Sequence, residues 1–481
     1  MTRCLQAAWL AVTFALGGTG AAAAATSISL SVAENHPASS TKVSGTGFGA
    51  SEAVDIFFDA TDEQIAVTGS NGAFPATPIP IPATATPGNH YITAIGRRSG
   101  DAAQKTFIVN TNWLKVSAGT HNEGLNPYEN VLSPATVSGL DVQWRFATGS
   151  IIPGSPAIYE GLLFMGSYNT VYALSASTGA QFWTATTGGD IYTSPTVANG
   201  LVIIGADDGT LYAYNLFTGA KAWSVTTTAA IPGSATVANG VVYFMSKNGF
   251  MYACKATTGA AVWSYNVGDY QYSGAPAYAN GVVYAATNGG NLYAFNATSG
   301  ALLWTYNSGS YFGGPPAVAA GTVYVADESG NLYAVNATTG LLRWQQPTGF
   351  DINSGVAVAG GFVVVGNANA NGQLFAFSTD RGTEQWSYTA DGPILSSPAI
   401  ANGVVYIGTS VGSVEAISLT NGSPLWNGAT GGDNYGTPAI SNGMLFLDSD
   451  DGNVYAYSLG AGGPAPVQRP SIESLRKLQP K

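Results

Sequence analysis

Short runs in which apolar and polar positions alternate follow one another from about residue 131 to residue 460. The stretch from Pro276 to Trp304 shows the unit. Pro276 to Ala279 precedes Asn280 and Gly281. Val282 to Thr287 follows, then a turn of Asn288, Gly289 and Gly290. Asn291 to Asn296 forms a third run, and a turn ending at Gly300 leads into Leu302 to Tyr306. Alternation with a period of two marks a strand with one buried face. Asn-Gly between two such runs marks a hairpin, because both residues tolerate positive φ. The unit is therefore four short strands in about 40 residues, the size of one propeller blade.

Tryptophans set the count. They fall at Trp144, Trp183, Trp223, Trp263, Trp304, Trp344, Trp386 and Trp426, at intervals of 39 to 42 residues. Seven of them end one strict pattern, an Ala ten residues earlier and a Gly four residues earlier, as in Ala173, Gly179 and Trp183. The third run recurs eight times, at Val171, Leu211, Met251, Leu292, Leu332, Leu374, Val414 and Val454. The last copy lacks a tryptophan strand after it, and the first tryptophan strand, 142–146, lacks strands before it. The two remnants complete each other, so 142–146 is expected to close the last blade and remove two exposed edges. The fold class is all-β: an eight-bladed β-propeller with terminal-strand closure, preceded by a small immunoglobulin-like β-sandwich.

This spacing resembles the tryptophan-docking repeat of quinoprotein-type propellers, the PQQ-like repeat family, over about residues 126–459. The resemblance implies that each tryptophan packs between neighbouring blades as a structural docking residue. It also implies a choice of function. The family holds pyrroloquinoline-quinone dehydrogenases and the propeller lipoprotein of the outer-membrane assembly machinery. In the dehydrogenases the quinone stacks on a tryptophan and, in many members, on a disulfide of adjacent cysteines. Calcium held by Glu, Asn and Asp polarises it, and an Asp acts as base. This chain has two cysteines, Cys4 and Cys254, which are not adjacent, and no haem-attachment motif. All eight propeller tryptophans belong to the repeat, and the remaining one outside the leader, Trp113, lies in the lead-in.

Residues 27–110 lack the repeat. Segments such as Ala53 to Phe58 and His90 to Ile95 alternate, and the Pro-rich stretch from Pro75 to Pro87 punctuates them. About seven short strands in this length suit a sandwich, and the module resembles bacterial immunoglobulin-like domains. Before it, Arg3, the apolar stretch Leu5 to Leu16 and the small residues Ala21 to Ala25 read as a secretory signal peptide. The expected organisation is signal peptide 1–25, sandwich 26–111, linker or lead-in 112–130, propeller 131–460 and a flexible Pro-rich tail 461–481. The expected location is periplasmic or extracellular, with no membrane span.

Composition narrows the chemistry. Charged residues make up 9% of the chain and the formal net charge is −11. A surface of that sign repels phosphate backbones, which argues against nucleic acid. The histidines are His36, His90 and His121, all ahead of the blades, so a histidine triad or a His-rich metal site within them is excluded. Cys254 occupies a position that holds apolar residues in sister repeats and reads as a small hydrophobe. Asp207, Asp208 and Gly209, like Asp450, Asp451 and Gly452, read as hairpin turns rather than calcium loops.

One departure from the frame carries a candidate site. The loop that follows each tryptophan strand and leads toward the innermost strand of the next blade carries Asp190, Asp269, Asp351, Asp391 and Asp433. Tyr192, Tyr270, Tyr272, Tyr311, Phe312, Phe350 and Tyr435 accompany them. Acids with interleaved aromatics on one face suit a cation, a basic or aromatic peptide segment, or a sugar. Glu415 stands where sister repeats carry Tyr or Phe, and reads as drift on a solvent-facing strand or as a partner contact. The leading expectation is an exported, non-enzymatic binding or scaffolding propeller engaging an envelope or extracellular protein, peptide or glycan. It requires no cofactor. The competing readings are a pyrroloquinoline-quinone and calcium dehydrogenase and an adhesive surface protein.

Overall fold

The computed structural model describes residues 25–269, 274–460, 463 and 468–479. The expected signal peptide lies almost wholly outside them. The front module packs two sheets face to face. One joins Ser27–Leu30, Ser40–Thr46 and Phe74–Pro80; the other joins Glu34–Asn35, Ala102–Val109, Gly88–Gly96, Ala53–Phe58 and Thr61–Val67. Val43 and Ile79 from the first sheet meet Ile56, Ile92 and Phe107 from the second in one buried core.

Eight blades of four antiparallel strands follow, the seventh joined at its inner edge by Leu125–Asn126 as a parallel fifth strand, and they form a β-propeller. Blades one to seven span 157–186, 196–226, 236–266, 277–307, 317–347, 357–389 and 399–429, and the eighth begins at Ala439–Ser441. Each innermost strand touches the next, and the eighth touches the first, which closes the ring. The two middle strands of a blade are packed on both faces, so they read as unbroken apolar runs such as Val363 to Val365. The outer strand alternates, because only one of its faces is covered, as in Glu384–Thr389. The eighth blade takes its outer strand from the other end of the propeller. Asp141–Ala147 pairs antiparallel with Asn453–Ser458, with Asp141 opposite Ser458 and Phe146 opposite Val454.

The tryptophans tie each blade to the one after it. Each Nε1 donates to a main-chain carbonyl of the following blade at 2.9–3.3 Å: Trp144 to Ala176, Trp183 to Leu216, Trp223 to Ala256, Trp263 to Ala297, Trp304 to Ala337, Trp344 to Thr379, Trp386 to Leu419 and Trp426 to Leu140. The repeated glycine is the floor under the ring. Gly300 has φ +72, and a Cβ there would come within 2.6 Å of the Trp263 indole, so backbone and packing both demand glycine. Trp263→Ala removes a docked ring and an interblade hydrogen bond. We expect a loss of roughly 3–5 kcal/mol in denaturant unfolding. A loss below about 1 kcal/mol would show that the indoles are not the interblade anchors.

Two regions depart from the sequence expectation. The lead-in is not a linker: residues 113–126 run as a belt around the axis and contact every innermost strand. Trp113 pairs with Ile158. The carbonyls of Leu114, Thr120, His121, Glu123 and Gly124 accept from Val197, Tyr278, Val318, Val358 and Ile400 at 2.6–2.8 Å. Lys115 Nζ donates to Thr236 Oγ1 at 2.5 Å, and Asn126 Nδ2 donates to the Ile440 carbonyl at 2.8 Å. The edge hydrogen-bonding capacity of the inner strands is met by one segment that threads the ring. The tail, expected to be flexible, carries a short helix, Ile472–Arg476. Its Leu475 is fully buried against Phe57 and Ile95 of the front module, and Gln479 donates to Asp55 Oδ2 at 2.7 Å. No helix among the described residues is long and apolar enough to cross a membrane.

Candidate functional site

Blade topology sorts the loops. In a four-stranded meander, the turn between strands two and three and the loop from strand four to the next blade lie at the same end. The front module contacts the opposite end, where Thr111 bonds Asn442 in a strand one–two turn. At the free end the two kinds of loop are tied together. The amides of Asp207, Lys247, Glu328, Ala368, Ser410 and Asp450 donate to the carbonyls of Asp190, Ala230, Tyr311, Asp351, Pro393 and Asp433 at 2.8–3.0 Å. Backbone bonds thus fix the loops that carry the candidate acids.

Asp190, Asp269, Asp351, Asp391 and Asp433 therefore share one end of the propeller, all of them exposed or half-exposed. The strand two–three turns add Asp207, Asp208, Glu328, Asp450 and Asp451 to the same end, so ten solvent-accessible carboxylates stand there. Lys247 is the one basic residue that these loops and turns contain. The crowding is felt: burial and the charges of Asp433 and Asp451 push the Asp450 carboxyl up. Several carboxylates also serve the loops. Asp391 accepts from Asn427 at 2.7 Å and Ser413 at 3.1 Å, and Asp433 accepts from the Tyr435 hydroxyl at 3.1 Å. Asp208 and Asp451 accept the hydroxyls of Tyr212 and Tyr455 at 2.5 Å and cap turn amides.

The aromatics divide. Tyr192, Tyr311, Phe350 and Tyr435 are 41–56% exposed at this end. Phe312 is not part of the face: it is 3% exposed and packs edge-on against Tyr333 inside the interblade core. Tyr270 and Tyr272 lie outside the described residues. Glu415 is neither drift on a solvent-facing strand nor a partner contact. It is buried in a middle strand, and its Oε1 accepts the Asp391 amide at 3.0 Å. Cys254 is buried in the interblade core, and burial pushes its thiol up to about 12, which suits an inert packing residue.

The ring of acids surrounds a throat on the propeller axis that the sequence reading missed. It encloses about 110 Å³, with Tyr192 and Tyr435 among its lining residues and Val116 of the belt in its wall. Its remaining side chains are largely hydroxyls: Ser155, Ser194, Ser234, Ser354, Ser397 and Thr437. They link the blades around the axis. The amides of Thr437, Ser155, Ser194 and Gly355 donate to the hydroxyls of Ser155, Ser194, Ser234 and Ser397 at 2.6–2.9 Å. Ser354 is 4% exposed and its Oγ has no hydrogen-bond partner among the described residues.

Quinone chemistry can be tested against these residues. All eight propeller indoles are engaged in blade docking, and Trp113 is buried in the belt. Among the described residues no carboxylate lines the throat, so the set Glu, Asn and Asp that would hold calcium is not assembled there. The residues present do not fit a quinone–calcium group.

Comparison with known proteins places the fold. BamB from Moraxella catarrhalis superposes with a TM-score of 0.58 at 19% identity, over 66% of this chain and 99% of that one. Quinohemoprotein alcohol dehydrogenase ADHIIG from Pseudomonas putida HK5 gives 0.63 at 16% identity, over 75% and 82%. The quinohemoprotein alcohol dehydrogenase from Comamonas testosteroni gives 0.64 at 15%, over the same shares. At these identities the likeness is one of fold alone. No curated protein sequence matches the chain. A family model does: it matches residues 135–272, 270–351 and 347–463, which together span the propeller, and the chain belongs to the PQQ-like β-propeller repeat family described as outer membrane protein assembly factor BamB.

Proposed function

We propose that this chain is an exported, non-enzymatic binding or scaffolding propeller, working in the periplasm or outside the cell, and that its free end engages a cationic segment of a protein or peptide partner. The front module, read as immunoglobulin-like, serves as a spacer at the other end. One observation carries this reading: ten accessible carboxylates and four exposed aromatics share the end that the front module leaves open, against a single lysine. A concentrated negative potential speeds encounter with a cationic partner, and aromatic faces hold it once it arrives. The family's description as an assembly factor agrees with a scaffolding role.

The test is titration of the full-length protein with an oligolysine peptide at several salt concentrations. Affinity should fall steeply as ionic strength passes about 0.15 M, where the screening length is about 8 Å. Replacing Asp190, Asp351 and Asp433 together by Asn should flatten that slope and leave the melting temperature nearly unchanged. A salt slope identical in the triple variant would remove this face from consideration. The dehydrogenase alternative would gain support if added pyrroloquinoline quinone and calcium produced quinone absorbance and dye reduction.

A further inference from the structure

The throat deepens that reading by naming what the partner inserts. Beside the aliphatic Val116, Pro153, Pro315 and Leu395 and the carboxamide of Asn353, its described lining side chains supply hydroxyl oxygens and aromatic faces, with no ammonium or guanidinium group among them. Four of its hydroxyls each accept one amide from the neighbouring blade, which leaves the second lone pair of each oxygen unused. Ser354 Oγ, buried and without any partner, offers both. A buried hydroxyl left unsatisfied is costly, and a ligand that bonds it recovers that cost.

A second buried group points the same way. Asp448 is 1% exposed, and neither of its oxygens has a hydrogen-bond partner among the described residues. It packs against Gly436, a residue of the throat wall, so closely that no side chain would fit at 436. Sister blades carry Gly166, Gly205, Met245, Ala286, Ala326, Gly366 and Gly408 at this place in the second strand. The eighth blade alone departs from this series of uncharged residues, and only the nearby amides of Asp448 itself and Gly436 offset part of the carboxyl's burial.

Anions are disfavoured by the acidic rim. A cation gains from the rim, from the tyrosines at the lip, from the hydroxyl oxygens and from the oxygen atoms of the Asp448 carboxyl, which lies behind Gly436 rather than in the lining itself. Water occupies about 30 Å³ per molecule in the liquid, so the throat has room for an ammonium head and a short length of its stem. We propose that the throat is the anchoring site for a primary ammonium, the side chain of one lysine in the cationic partner segment, held by Ser354 and the neighbouring hydroxyls and oriented by the carboxyl of Asp448. This rests on the acidic end being the partner surface.

The experiment uses the full chain and a pentapeptide capped at both ends, with a single central lysine flanked by Gly and Ser. The same peptide with Nε-acetyl-lysine is the control, and calorimetric titration is done at low ionic strength. The lysine peptide should bind one to one and more tightly than the control by roughly tenfold to a hundredfold, as for hydrogen bonds to a charged group. Ser354→Ala and Asp448→Asn, each checked for an unchanged circular dichroism spectrum, should each shrink that ratio several-fold. Equal binding of the two peptides, or a ratio untouched by both substitutions, overturns the anchor. In that event, salt-dependent binding of oligolysine still upholds the partner surface. Failure of oligolysine to bind removes both.

Discussion

Deleting residues 131–147 should abolish cooperative folding of the propeller, while deleting 468–479 should leave its thermal transition nearly in place. The first deletion removes Asp141–Ala147, the outer strand of the eighth blade, and with it three interactions that close the ring. The ladder to Asn453–Ser458 is lost, which bares an apolar strand edge. Trp144 no longer donates to Ala176 of the first blade. Trp426 loses its acceptor, the carbonyl of Leu140. Leu132, Val137 and Leu140 also leave the largest buried cluster, which joins the first, seventh and eighth blades. Each large buried aromatic or aliphatic side chain removed costs roughly 2–5 kcal/mol. Four or five such losses at one seam match or exceed the roughly 5–15 kcal/mol by which a domain is stable. The tail deletion, by contrast, uncovers Phe57, Ile95 and Ala102 and removes hydrogen bonds to Asp55, Gly100 and Gln104, all of them on the front module. Calorimetry on both variants decides it. A ring-deleted chain that melts within a few degrees of the parent would mean that the interblade docking holds without closure.

How much of this was legible in the residues follows from what each region asks of its side chains. Blades are legible because seven of the eight tryptophans are buried on the glycine of the following copy, as Trp263 is on Gly300, and that demand recurs every 39 to 42 residues. Strand closure followed from counting the copies. The belt was not legible, because Leu114, Thr120, His121, Glu123 and Gly124 make their bonds through main-chain carbonyls, which no side-chain pattern records. Lys115 illustrates the point. A lysine in a presumed linker reads as solvated, yet it is fully buried with Asn122 and Thr236 as neutral partners, and burial pushes its ammonium down to about 7.

The acidic end was legible in part. Its loops were located by their offset from each tryptophan, and the structure brings the five aspartates to one end. Phe312 was assigned to the face because it adjoins Tyr311. In extended chain, neighbours point to opposite sides, so Tyr311 faces outward and Phe312 inward, bridged to Asp327. Glu415 misled for a related reason: its strand is covered on both faces, so a departure from tyrosine there is a buried event. The throat left a signal that registering the repeats exposes. Ser155, Ser194, Ser234, Ser397 and Thr437 stand two residues before their respective innermost strands, at equivalent positions in five blades.

Asp448 should make the stability of the propeller fall as pH rises, and Asp448→Ala should remove that dependence. Burial, with a smaller contribution from Asp450, lifts its carboxyl from the ordinary value of 3.8 to about 8; nearby amides of Asp448 itself and Gly436 offset only part of this. The sign follows from the order of the two values. Below 3.8 the carboxyl is protonated both folded and unfolded and imposes no penalty. Between 3.8 and 8 the unfolded chain gives up its proton while the folded chain must keep it, so stability is lost at about 1.4 kcal/mol per pH unit. Above 8 the loss is complete. At pH 7 this amounts to roughly 4 kcal/mol. Alanine stands at the equivalent position in two sister blades, as Ala286 and Ala326, so the backbone accepts it without strain. The Ala variant should therefore be more stable than the parent by up to roughly 4 kcal/mol at pH 7, and the advantage should shrink toward zero near pH 4. Every other titrating group is common to both proteins and cancels in the difference. Denaturant unfolding of the pair across pH 4–8 measures it. A difference that stays flat with pH would show that the carboxyl is ionised and compensated in the folded protein. A growing advantage for the Ala variant would instead identify Asp448 as a residue the fold keeps at a cost in stability, as expected of a group retained for binding.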